Sequence, residues 1–405
     1  MIIRLLGVQW LAIGFTGLIS LGLSVWIARA LGPELFGVYA VAVSVGALLA
    51  ILMDGGFSKL LQRERTRVTP ALTQVGPDLP GLSYGHAILL VLGLSVLAVL
   101  IFPKHALTTL ATLWLFGATV LNQFGLAILR GDGRLVRDAY WQVGNRTFTA
   151  LCVASALFLG ASQPWHMLIA QFIGTAAFGF LVARYLLLRP IFGMSLTVYR
   201  AVLPFIWLNF ATALYFRADM LVFQFLSVPK LEVGQYGVAY RLIEAVLLIA
   251  SPVGVILFRR FRQDSAIPAQ MLKGMWPALM GATFIGLCIA ILFWSFGNDL
   301  IFLTYGSAYQ GGGKLLIVLG YSLIFILPNV VLSQAALALG LERWFAYAAS
   351  TAAVVNIGGN LCLVPIYGTI AAAWMTVLTE VILGICLAIG LVWRCRQPAV
   401  IATGG

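Results

Sequence analysis

Stretches of about twenty apolar residues recur along the whole of this 405-residue chain. Each is long enough to cross a hydrocarbon core of ~30 Å as a helix. No other feature constrains the fold as strongly. Backbone in lipid must satisfy its own N–H and C=O groups, which only helices and closed barrels achieve. The strict alternation of a barrel strand is missing, so helices are expected. Composition agrees: 61% of residues are hydrophobic, 9% are charged and the mean hydropathy is +1.01. A soluble domain carries roughly a quarter of charged residues, so lipid is the expected outer solvent. The first stretch, Gly7 to Leu31, runs into ARALGPELFG without a small-x-small cleavage site. It reads as a retained membrane helix and not as a signal peptide.

Turn residues and charges divide the chain into twelve apolar segments: 7–31, 36–58, 84–103, 107–129, 140–161, 165–188, 201–228, 234–258, 275–296, 314–340, 344–364 and 369–393. With the N-terminus inside, 18 of the 25 Lys and Arg fall at cytoplasmic ends, among them Arg63, Arg134, Arg260 and Arg394. Only Arg29, Lys104, Lys230 and Lys314 fall at outer ends. That bias predicts two cytoplasmic termini in a cytoplasmic-type inner membrane. The net charge of +12 is therefore a topology signal, and no nucleic-acid partner is expected. The five cysteines form no CxxC and mostly sit in apolar stretches, so they read as buried free thiols. His86, His105 and His166 lack metal-ligand spacing, and neither a metal nor a cofactor is expected.

GVYAVAVSVGALLAILMDGGFSKLLQR (Gly37 to Arg63) lies without a gap over GQYGVAYRLIEAVLLIASPVGVILFRR (Gly234 to Arg260). Gly-x-Tyr opens both segments. A weaker match sets LAILRGDGR (Leu126 to Arg134) beside ALALGLER (Ala336 to Arg343). Two parallel halves follow, 1–192 and 193–405, each a bundle of six helices. The expected fold is an all-α integral membrane protein with a central cavity between the halves, the usual build of secondary transporters.

Three segments carry a family resemblance. ARALGPELFGVYAVAVSVGALLAILMDGGFSKLLQRE near the N-terminus, YFRADMLVFQFLSVPKLEVGQYGVAYRLIEAV (Tyr215 to Val246), and LTYGSAYQGGGKLL with ALALGLER and NIGGNLCLVPIYGTIAAAW (Asn356 to Trp374) are the carriers. Together they resemble the polysaccharide repeat-unit (Wzx-like, O-antigen-type) flippases of the multidrug/oligosaccharidyl-lipid/polysaccharide exporter superfamily. Ala371 departs from that pattern, where Gly is commoner. The resemblance implies a non-enzymatic flippase that moves undecaprenyl-pyrophosphate-linked oligosaccharide between leaflets by alternating access, coupled to an ion gradient. It also implies a polysaccharide polymerase and chain-length machinery as partners, alongside membrane lipids.

Ionisable side chains inside spans are expensive and so are functional candidates. Arg146, Arg217 and Arg241 are the candidate cavity cations for a pyrophosphate, which a guanidinium fork suits. Asp219, Glu244 and Glu380 are the candidate ion carriers, and Asp54 and Lys59 mark the cytoplasmic mouth. Each has a structural alternative. Similar depths in spans 7 and 8 allow Arg217–Glu244 and Asp219–Arg241 pairs that staple a hairpin. Arg146 could snorkel to the inner headgroups, and Glu380 could be an acid held neutral by burial. Three rivals stay open: a drug or amphiphile exporter, a lipid II flippase, and a membrane glycosyltransferase, ligase or polymerase. The last needs a sizeable outer loop, and only 297–313, with Asp299, offers one.

Overall fold

The computed structural model describes residues 2–65, 78–183, 189–193, 196–264 and 268–396. No strand occurs among them. The helices are α1 (Ile2–Asp54), α2 (Phe57–Arg65), α3 (Leu79–Ile101), α4 (Ala106–Gly131), α5 (Leu135–Phe158), α6 (Pro164–Ala183), α7 (Leu196–Phe225), α8 (Lys230–Asp264), α9 (Pro268–Tyr305), α10 (Gly311–Ala338), α11 (Glu342–Tyr367) and α12 (Thr369–Arg396). Among the described residues, seven helices are long and apolar enough to cross a membrane: α1, α3, α4, α9, α10, α11 and α12. Helices α5, α7 and α8 fall outside that set, and they hold Arg146, Arg217, Asp219, Arg241 and Glu244.

The first two expected spans are two arms of α1, broken at Gly32 (φ 71°, ψ 168°) with Pro33 next to it. Only glycine enters that region at no steric cost, and proline opens a helix without losing a bond it would otherwise make. The second arm stops at Asp54 and not at 58, because Gly55 and Gly56 turn the chain with φ of 53° and 74°. The following α2 is amphipathic. It buries Phe57, Leu60 and Leu61 and leaves Lys59 exposed.

The expected outer loop at 297–313 is largely helical. Helix α9 runs to Tyr305, so Asp299 lies within it, and only Gly306–Gln310, including a 3₁₀ turn at Ser307–Tyr309, separates it from α10. Gly297, which looked like a turn residue, instead lets α9 approach α10: a Cβ there would sit 3.0 Å from Ile317. The thiols also differ from expectation, since Cys288 and Cys362 are exposed and Cys152 and Cys386 only partly covered. Cys288 and Cys362 thus lie on outward helix faces, where lipid tails would supply the apolar surrounding of a membrane protein. The side chain of Cys395 lies outside the described residues.

The chain separates into two compact units, Met1–Val238 and Ala239–Gly405. This division follows contact, whereas 1–192 and 193–405 follow the repeat. In the first unit α1 packs on α3, α4, α5, α6 and α7, and α4 packs on α6. Its core gathers Met53, Phe57, Leu60, Tyr84, Phe124 and Val202, each buried. In the second unit α10 is central, packed on α9 and α12, with α11 on α12. Large apolar side chains cover the outside, including Leu100, Phe158 and Leu303, each at least 72% exposed. In water that surface would be an aggregation liability; against lipid tails it costs nothing.

Candidate functional site

The repeat glycines decide how the first unit is built around its charges. A Cβ on Gly37 would fall on the carbonyl oxygen of Lys230, and one on Gly234 would fall on that of Pro33. Each oxygen belongs to the residue four before the partner glycine. The second arm of α1 and the start of α8 therefore cross reciprocally at the two positions that the repeat aligns. Small residues at a crossing let backbones meet closely. The tyrosine two places on from each glycine then carries a buried polar partner. Tyr39 accepts from Gln171 Nε2 at 2.9 Å. Tyr236 donates its hydroxyl to Asp219 Oδ2.

Asp219 is 6% exposed and sits on α7, two residues beyond the half-buried Arg217. Its partner Tyr236 is held edge-on against Phe223, with ring centroids 4.9 Å apart. Arg146 lies on α5, half-buried, and its Nε donates to Ser20 Oγ on α1 at 2.6 Å. The next residue back faces elsewhere: Asn145 donates towards the carbonyl oxygen of Thr175 at 3.3 Å, beside Asn122, which accepts from Trp141 Nε1 at 2.9 Å. Helix α5 thus presents Arg146 to α1 and an amide cluster to α4 and α6.

Another buried carboxylate of this unit escaped sequence reasoning. Asp138 is 1% exposed and meets Arg130 Nε at 3.0 Å, Gln9 Nε2 at 2.9 Å and Gln142 Nε2 at 2.9 Å. It ties α4, α5 and the start of α1 together. The signal was present as Arg130 and Asp138 flanking a short turn, but a charge beside a loop reads as solvated.

Asp54 and Lys59 part company. Asp54 is buried, and its Oδ2 accepts the Gly56 N–H at 3.0 Å, capping the turn into α2. Lys59 faces outward. Close by, His86 bonds the Leu52 carbonyl oxygen and the Tyr199 hydroxyl, each at 2.9 Å. A carbonyl can only accept, so in the neutral ring Nε2 carries the proton and Nδ1 accepts from Tyr199.

In the second unit Glu380, 2% exposed on α12, receives two hydrogen bonds from Asn329 Nδ2 on α10. One goes to Oε2 and one to the backbone carbonyl, both at 2.8 Å. Asn329 follows Pro328, and as a neutral residue it drew no notice among the ionisable candidates. Arg241 and Glu244 pair along α8 at 2.6 Å, as their spacing of three residues permits.

No curated protein matches the chain. Its structure is similar to the inward-facing conformation of a multidrug resistance MATE family transporter of the MOP superfamily, at TM-score 0.70 and 16% identity over 94% of this chain and 93% of that one. It is similar to the lipid II flippase MurJ in an inward closed conformation, at TM-score 0.73 and 16% identity over 96% and 89%. A MOP superfamily transporter from Pyrococcus furiosus, described as having a binding pocket of reversed polarity, matches at TM-score 0.63 and 15% identity over 97% and 94%. At such identities the likeness is one of fold. The chain is accordingly an all-α, multi-pass membrane protein with the fold of these transporters. A family model described as "Polysaccharide biosynthesis protein" matches residues 5–263. That match spans more than half of the sequence, and the chain belongs to the polysaccharide biosynthesis protein family.

Proposed function

We propose that this protein is a flippase for undecaprenyl-pyrophosphate-linked oligosaccharide, moving it from the cytoplasmic to the outer leaflet by alternating access. The observation that carries the reading is the union of a polysaccharide-biosynthesis family match with a fold shared by a lipid II flippase and drug exporters. The transporters it resembles in fold support reading it as a protein that moves a molecule and makes no bond. The remaining parts of the reading go with it: twelve spans, both termini in the cytoplasm, an inner membrane location, and a polymerase with chain-length machinery as consumers of the product.

In this reading Arg146, Arg217 and Arg241 supply cations to the pyrophosphate, whose pairing is stronger in a low-dielectric surrounding than in water. Arg241 already holds Glu244, which suits a staple better than a free ligand. Among the acids, Asp219 and Glu380 suit ion coupling better than Glu244 does. Each accepts from a neutral donor, Tyr236 or Asn329. A protonated acid keeps a carbonyl oxygen and can still accept that bond. Glu244 would lose the charge of its ion pair on protonation.

The test is reconstitution in proteoliposomes with a fluorescent lipid-linked oligosaccharide and an imposed H⁺ or Na⁺ gradient. Gradient-dependent loss of the label from attack by an outside reagent supports the reading. Transport of cationic dyes with an immobile lipid-linked sugar would replace it with amphiphile export.

A further inference from the structure

The connection between α4 and α5 is a fixed turn that carries more positive charge than the protein uses. Two bonds close the end of α4: the Gly133 N–H donates to the Arg130 carbonyl oxygen at 3.1 Å, and the Arg134 N–H to that of Leu129 at 2.8 Å. Gly133 sits at φ 72°, the left-handed conformation that such a closure requires. The buried Asp138 anchors the other side, accepting from Arg130, Gln9 and Gln142. Gln9 also donates to the Leu135 carbonyl oxygen at 2.6 Å, which ties the first turn of α5 to α1.

Charge accounting leaves two arginines over. Asp138 is spent on Arg130, and Asp132 lies 3.8 Å from Arg65 on α2. All 13 Asp and Glu of the chain are among the described residues, and none pairs with Arg134 or Arg137. Both arginines are exposed. With Gly133, Leu135 and Val136 they line an open hollow of about 340 Å³. Two like charges held at one hollow repel, and an anion between them relieves the repulsion.

The hollow opens onto an outward stripe of α5. Val136, Tyr140, Thr147, Leu151 and Phe158 fall within about 60° of one another at 3.6 residues per turn, and none is buried. Tyr140, Leu151 and Phe158 are 73%, 58% and 92% exposed. Leu151 lies about 21 Å along the axis from Arg137, so the stripe reaches far into a hydrocarbon layer. Cations come first, then an aromatic ring with a polar tip, then apolar side chains. That order matches the profile of a phospholipid from phosphate through ester to acyl chain.

We infer that the α4–α5 turn and this stripe form a seat for an anionic phospholipid. Its phosphate lies between Arg134 and Arg137, whose planar forks suit phosphate oxygens. Tyr140 stands at the level of the glycerol esters, and an acyl chain runs along Leu151. A zwitterionic headgroup brings its own cation to a place already in surplus, and a soluble anion leaves the stripe unused. The inference goes beyond the proposed flippase function and requires only that the chain spans a membrane.

The full-length protein in phosphatidylcholine nanodiscs receives a trace of photoactivatable phosphatidylglycerol or, separately, of photoactivatable phosphatidylcholine. Labelled peptides are located by mass spectrometry. Phosphatidylglycerol should label the first turns of α5, and phosphatidylcholine should label them far less. Arg134→Gln combined with Arg137→Gln should cut that labelling about twenty-five-fold, roughly fivefold for each arginine beside an anionic headgroup. Tyr140→Ala should lower it with both arginines in place. Arg259→Gln combined with Arg260→Gln removes two exposed arginines from the end of α8 and should leave α5 labelling unchanged. A general effect of lost charge or poor folding would appear in both double variants. Equal labelling by the two probes, or an equal loss in the two double variants, overturns the seat. Displacement by an equimolar polyprenyl pyrophosphate also overturns it, by assigning the same cations to a different lipid.

Discussion

At the scale of single residues, the buried acids are distinguished by what holds them. Asp219 and Glu380 accept from a hydroxyl and an amide, and an amide side chain can accept the same bonds. Asp219→Asn and Glu380→Gln should therefore fold with losses of no more than about 1 kcal/mol, while gradient-driven transport disappears if either acid carries the ion. Tyr236→Phe should cost about 1–3 kcal/mol, because it strips a donor from a carboxylate that is 6% exposed. Thermal unfolding in detergent, set against transport, separates the two classes. Unchanged transport in both amide variants removes these acids from coupling. The arginines divide by rescue. Arg241→Ala should be destabilising and should recover in part when Glu244→Ala is added, since losing one member of a half-buried ion pair costs more than losing both. Arg146→Ala and Arg217→Ala should abolish export with precursor held on the inner leaflet. Normal export in both would remove the pyrophosphate role. Sequence exposed every one of these charges, because charge in an apolar span stands out. It hid their partners, Tyr236, Asn329 and Ser20, since a neutral polar residue in a helix is ambiguous until another helix arrives beside it.

At the scale of elements, the aligned Gly-x-Tyr segments turn out to be the two sides of one crossing. Gly37 faces the Lys230 carbonyl oxygen and Gly234 faces that of Pro33. Alanine at either position must push α1 and α8 apart or bend them, at about 1–3 kcal/mol for an overpacked contact. By contrast Gly14, with nothing within 4 Å of its would-be Cβ, should gain up to about 1 kcal/mol as alanine through helix propensity. Melting temperatures of the three variants check this, and equal shifts for all three would discard the crossing as a tight contact. The same elements mark what sequence could resolve. Helix interiors were legible because apolar runs are long. Ends were less so: Gly297 looked like a stop but faces α10, whereas Gly55 and Gly56 looked like part of a span and end α1. A glycine serves turns and close packing alike, and only tertiary structure says which.

For the whole molecule, the charge bias and the helix breaks make one joint prediction about topology. The expected outer positions coincide with interruptions between long helices: the Gly32 break before Pro33, the 3₁₀ turn at Pro103–His105, the connector containing Gln163, and the start of α10 beside Gly312. The expected inner positions follow helix ends rich in arginine. Arg137 opens α5, Arg262 closes α8 and Arg396 ends α12, while Arg67 lies outside the described residues. Moving such a cluster across a membrane during insertion is disfavoured, which is the physical content of the positive-inside bias. Reporter fusions after Arg67, Arg137, Arg262 and Arg396 should therefore report cytoplasm. Fusions near Pro33, His105, Gln163 and Gly312 should report the outside. The site at Pro33 is the sharpest, because α1 is continuous there apart from the Gly32 break. If the two arms of α1 form a hairpin of two spans, a cysteine at position 33 will react with a membrane-impermeant thiol reagent added outside intact cells, in a background lacking the native cysteines. Reaction only from the cytoplasmic side would reverse the first two spans and end the twelve-span arrangement.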